Sequence, residues 1–77
     1  MTSKEIARQI VQIAFEVTGA ELNETDTLKE CGLDSLSLVA VIAEMEERFA
    51  VVFTETQLAP ADLQTLADLV RIAEQHV

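Results

Sequence analysis

Apolar residues recur along this chain at helical spacing in three runs. Ile6, Ile10, Ile13 and Val17, with Ala14 beside them, form the first stripe, and Leu38, Val41, Ile42, Met45 and Phe49 the second. Leu66, Leu69, Val70 and Ala73 form the last. Such spacings place side chains on one face of a helix, so each run predicts a helix with one buried side. Polar residues between the runs supply start and stop signals. Thr2 and Glu5 read as a T-x-x-E capping box ahead of the first helix, and Gly19 as its C-terminal cap. Asp34 and Ser35 open the second helix, and Arg48 near its end suits the negative pole of the helix dipole. Thr54 and Gln57 repeat the box ahead of a short third helix that Pro60 limits, and Thr65 and Asp68 open the last helix.

Residues 20–34 carry no helical period, only the scattered apolar anchors Leu22, Leu28 and Leu33. Val51, Val52 and Phe53 are short and apolar, but no second strand exists to pair with them, so they read as a buried connection. The fold class expected is all-α: a four-helix bundle of three main helices plus a short third one, with a long loop between helices one and two. A chain of 77 residues predicts one domain, 1–77, with one small core.

Charge narrows the partners. Five basic residues stand against 14 acidic ones, for a net charge of −9. Residues 19–62 hold ten of the acids against Lys29 and Arg48. Such a chain is repelled by nucleic acid and anionic lipid and steered toward basic protein surfaces, although most exposed acids simply keep a small protein solvated. No segment offers the ~18 or more uninterrupted apolar residues of a membrane span, and Lys4, Glu5, Arg8 and Gln9 interrupt any signal-like start. The single cysteine, Cys31, cannot form an internal disulfide and fits a reducing compartment. A cytoplasmic monomer without membrane insertion is expected.

Candidate chemistry is sparse. Residues 32–36 read Gly32, Leu33, Asp34, Ser35 and Leu36, which places a serine hydroxyl beside a carboxylate at a helix N-terminus. As helix punctuation, Ser35 is a favoured N-cap, worth about 1 kcal/mol over alanine, and Asp34 serves equally well as a cap or first-turn acid. A hydrolase nucleophile fits poorly. The G-x-S-x-G elbow is absent, and the one histidine, His76, is the penultimate residue. One Cys and one His cannot make a structural zinc site, and residues 21–30 lack the alternating ligands and central glycine of a calcium loop. Cys31 has neither a base nor a second cysteine next to it and reads as a small half-buried residue.

Taken together, the Gly32-Leu33-Asp34-Ser35-Leu36 run, the helix that continues to Glu44, Met45, Glu46, Glu47, Arg48 and Phe49, the length, the acidity and the long first loop resemble the acyl carrier protein family and its phosphopantetheine-binding relatives. The likeness covers nearly the whole chain. It implies that Ser35 accepts 4′-phosphopantetheine from coenzyme A, in a step performed by a phosphopantetheinyl transferase with magnesium, and that Asp34 helps to orient that enzyme and its metal. The phosphodiester would lie by exposed helix amides, which favour an anion. The chain itself would not be an enzyme. It would carry an acyl group as a thioester on the arm and present it to partner enzymes: an acyl- or aminoacyl-loading enzyme, then ketosynthase, condensation or tailoring enzymes. The recognition residues implied are Leu36 as an apolar contact and Glu44, Glu46 and Glu47 as partners of basic surfaces. Each of the acids reads equally as solvated helix surface.

The chain departs from the fatty-acid type of the family in two places. Acids expected two and five residues after the modified serine are replaced by Ser37 and Ala40, and residues 59–63 form a slightly longer stretch. Both lean toward carriers of polyketide or nonribosomal peptide biosynthesis. The aspartate at 34 leans acyl over peptidyl or aminoacyl, with a D-alanyl carrier as a further alternative. With no flanking catalytic domain in the sequence, a free-standing carrier or an excised piece is expected, and the starting Met1 leans toward the free-standing type. Outside the carrier class stand an unmodified helical docking module, which would tolerate Ser35→Ala, and a serine hydrolase, whose esterase activity that substitution would abolish.

Overall fold

The computed structural model describes residues 2–53 and 63–75. Over them the chain forms three helices: α1 (Ser3–Thr18), α2 (Ser35–Phe49) and α3 (Leu66–Glu74). The short helix expected after Thr54, with its Thr54–Gln57 box and Pro60, lies outside the described residues. The described residues contain no strand, only one isolated antiparallel bridge between Thr27 and Thr65.

Local signals account for most helix ends. The Thr2 hydroxyl accepts the Glu5 amide proton at 3.2 Å, which is the Thr2 half of the expected box. Gly19 stops α1 at a φ of +78°, and its N–H donates to the Phe15 carbonyl at 2.9 Å. At α3 the box is complete: Thr65 Oγ1 accepts from Asp68 N–H, and the Asp68 carboxylate accepts from Thr65 N–H. The end of α2 carries no glycine. Ala50 takes the left-handed conformation there, at a φ of +55°, and its N–H donates to the Glu46 carbonyl. A side chain rarely adopts that geometry, so the position needs outside support. Glu46 supplies it, because its carbonyl also accepts from Val51 N–H at 3.0 Å and its carboxylate accepts from Phe53 N–H at 3.0 Å.

α1 packs against both α2 and α3. The buried set contains Ile6, Ile10, Ile13 and Ala14 from α1, and Val41, Ile42, Met45 and Phe49 from α2. Leu66, Leu69, Ile72 and Ala73 come from α3. All three loop anchors, Leu22, Leu28 and Leu33, are buried in the same cluster. The pattern needs correction at four positions. Val17 is 41% exposed and stands off the buried face formed by Ile6, Ile10, Ile13 and Ala14. Leu38 and Val70 are only partly buried, and Ile72, absent from the expected stripe, is in the core. The 51–53 connection is split: Phe53 is buried, Val51 half-buried, and Val52 78% exposed.

The long loop is held by its own bonds and by α3. Thr27 N–H donates to the Glu30 carboxylate at 2.9 Å, and Glu30 N–H donates back to Thr27 Oγ1 at 3.2 Å. Gly32, at a φ of +100°, turns the chain toward α2 and donates to the Lys29 carbonyl. Leu28 N–H donates to the Gln64 carbonyl at 2.8 Å, joining the loop to the segment that enters α3. This tie places residues 27–33 beside Leu63 and the start of α2.

Candidate functional site

The start of α2 is built by Asp34, not by Ser35. Asp34 is the N-cap, with extended backbone at φ −85° and ψ −176°, and its carboxylate accepts the Ser37 amide proton at 2.8 Å. Ser35 is the first helical residue and is exposed. The reading of Ser35 as a capping residue is therefore overturned, because the carboxylate one position earlier already occupies the capping geometry. The Ser37 amide, and after it the Ser37 hydroxyl, hold the Asp34 carboxyl below the usual carboxylate range. Asp34 thus presents a stable negative charge next to the Ser35 hydroxyl.

Ser35 opens onto a groove of about 490 Å³. Leu28, Leu33, Leu38 and Leu63 form its apolar wall, with Lys29, Asp34 and Gln64 among its polar members. A larger groove of about 700 Å³ runs between α1 and α3 and includes neither Asp34 nor Ser35. Among the described residues, no cluster of three or more His, Cys, Asp or Glu side chains is arranged to hold a metal ion. His76 lies outside the described residues.

The four expected recognition residues differ in availability. Leu36 is 83% exposed. Glu44 accepts from Arg48 at 3.1 Å, and Arg48 also binds Glu16 of α1, so this acid belongs to a bridge between helices. Glu46 is half-buried and closes the end of α2 through Phe53. Glu47 is exposed on the helix surface. Val39, 65% exposed, was not among the expected contacts. It shares a face with Leu36, Ala40 and Ala43, all exposed and all three or four residues apart. The surface of α2 that follows Ser35 is therefore apolar, with its free acid at the far end. The signal was readable in the spacing of 36, 39, 40 and 43, but in isolation that spacing does not distinguish an exposed apolar face from a buried one.

The family model described as phosphopantetheine attachment site matches residues 7–73. Among solved structures, the chain is similar to an acyl carrier protein from Thermotoga maritima, with 26% sequence identity and a TM-score of 0.81 over 96% of this chain and 88% of that one. Comparison with curated protein sequences found no match.

Proposed function

The chain belongs to the phosphopantetheine-binding carrier proteins of the acyl carrier type, non-catalytic proteins with covalent 4′-phosphopantetheine as prosthetic group, and on that premise we propose that Ser35 is the residue that carries it. The observation behind this reading is the exposed Ser35 hydroxyl at the first position of α2, beside the ionised Asp34 and inside the matched span. The surroundings suit the group. The hydroxyl is accessible, the first turn of α2 offers helix-end amides to an anion, and the leucine-walled groove leads away from it.

In the loading step the Ser35 oxygen bonds to the phosphorus that bears the pantetheine arm. The pyrophosphate bond of coenzyme A breaks, adenosine 3′,5′-bisphosphate leaves, and the hydroxyl proton passes to a base of the transferase. Once attached, the arm supplies a thiol that holds an acyl group as a thioester. Asp34 has two tasks in this reading: it holds the helix start in place, and it presents a carboxylate to the transferase and its magnesium. Leu36, Val39, Ala40 and Ala43 meet partner enzymes as an apolar patch, and Glu47 steers basic surfaces toward it. Glu44 and Glu46 contribute mainly to the fold.

The apolar character of that face, with Ser37 and Ala40 where fatty-acid carriers bear acids, supports a carrier of polyketide or nonribosomal peptide type biosynthesis. We place it in the cytoplasm as a single carrier domain. The lone half-buried Cys31 suits a reducing compartment, and no helix among the described residues is long and apolar enough to cross a membrane.

The test is intact-protein mass after incubation with coenzyme A, magnesium and a broad-specificity phosphopantetheinyl transferase. One phosphopantetheine added to the wild type and none to Ser35→Ala is the expected result. Modification of the Ser35→Ala variant, or an unmodified wild type beside a transferase active on a control carrier, overturns the assignment.

A further inference from the structure

The fold separates the chain's five cations. Lys4, Arg8 and Arg71 line the groove between α1 and α3. Arg48 is bonded to Glu16 and Glu44. Among the described residues, Lys29 is the one cation on the wall of the groove that contains Ser35. It lies in the turn before α2, is exposed, and has no ion-pair partner among the described residues. The Thr27–Glu30 bonds and the Leu28–Gln64 tie hold the backbone on both sides of it.

A phosphodiester on Ser35 adds a negative charge to a chain already at −9, next to the carboxylate of Asp34. The helix end can answer only in part, because the Ser37 amide is already taken by Asp34. A cation on the wall of the same groove offers a further favourable partner. A lysine suits that task, as a compact charge on a flexible stem that can follow the phosphate.

We propose that Lys29 is a positioning residue for the prosthetic group: its ammonium pairs with the phosphodiester on Ser35 and lays the arm along the leucine wall of the groove. This rests on the reading of Ser35 as the attachment site. The arm then has a preferred direction, toward Leu28, Leu38 and Leu63, set by a residue of the first loop and not by α2 alone.

The experiment compares the wild type, Lys29→Gln and Lys29→Arg, each before and after loading with phosphopantetheine. Mass is read first, then the amide NMR shifts of Leu28, Leu38 and Leu63. Complete loading of all three proteins is expected, with loading-induced shifts at the groove amides in the wild type and Lys29→Arg. In Lys29→Gln these shifts fall about two- to five-fold, the range over which an exposed ion pair moves a local equilibrium. Added salt shrinks the wild-type shifts by screening and leaves the smaller Lys29→Gln shifts nearly unchanged. Equal shifts in Lys29→Gln, or a loaded wild type without groove shifts, overturn the role of Lys29. A wild type that fails to load overturns the Ser35 assignment and this inference with it, and the mass separates that case from the others.

Discussion

The Asp34 carboxylate accepts the Ser37 amide proton at 2.8 Å, and Ser35 stands between the two with its side chain in solvent. One residue caps the helix while its neighbour stays available for modification. If Ser35 is the attachment site, as proposed above, capping and carrying are divided between adjacent positions.

This division predicts a pH-dependent difference between the wild type and Asp34→Asn. Asparagine is also a good N-cap, so the variant keeps the helix start but loses the charge. The Asp34 carboxyl is held below its ordinary value by Ser37, so its contribution is present above the unfolded value near ~4 and is lost as pH falls through the lower folded value. Thermal melts should show the wild type more stable at neutral pH, with the gap closing in acid. A gap that persists or widens in acid would contradict the cause assigned to the shift. On the proposed role of Asp34 toward the transferase and its magnesium, loading should also slow in Asp34→Asn.

At the end of α2, Glu46 and Glu47 should separate. Glu46→Ala removes the acceptor of the Phe53 amide and should lower stability by about 1 kcal/mol in denaturant melts. Glu47→Ala should leave stability unchanged and reduce the association rate with a basic partner enzyme. Equal effects of the two on stability would contradict the closing role of Glu46.

On the exposed face of α2, Leu36→Ala and Val39→Ala should weaken partner binding without moving the melting temperature, since both side chains are mostly in solvent. The loss should persist at high salt, whereas the Glu47 effect should fade. Binding that is insensitive to both alanine variants would remove this face from the partner interface.

Phe49→Ala should cost about 3–5 kcal/mol if the site stays open, read as a shift in the denaturant midpoint. Phe49 is buried in the core at the last position of α2. Collapse of the surroundings into the space would lower the cost toward the transfer term alone, and a cost near zero would contradict the burial of Phe49.

Salt should raise the melting temperature of the wild type, because self-repulsion at a net charge of −9 is screened. Arg48→Gln removes the bridge to Glu16 and Glu44 and should melt lower than the wild type, with the difference narrowing as salt is added. A wild-type melting temperature that falls with salt would show that such attractive pairs outweigh the repulsion.

The positions of α1, α2 and α3, the Gly19 stop, the Thr65–Asp68 box and the anchors Leu22, Leu28 and Leu33 were legible in the residues, because caps and stripes depend on spacings within one or two turns. Spacing failed where two neighbours had equal local credentials. Both Asp34 and Ser35 are good caps, and only the backbone angles show which one takes the position. Val17 kept the period of its helix yet is exposed, and Ile72 is buried in α3, which packs on α1. The three acids at 44, 46 and 47 look alike in a helical pattern. They part company because Arg48 reaches back to one, the chain folds the Phe53 amide onto another, and the third meets only solvent.

The sequence by itself determined α1, α2 and α3, the Gly32–Leu36 run around Ser35 and the excess of acid, since each is written in residues close together along the chain. Only the tertiary structure decided what faces Ser35. Leu28 is tied to Gln64, and Leu63 beside it closes the groove that Lys29 and Ser35 share. That arrangement joins segments far apart in sequence, and the physical reason lies in their shared burial: Leu28, Leu33 and Leu63 leave water together, and in doing so they form the groove whose wall includes both Lys29 and Ser35.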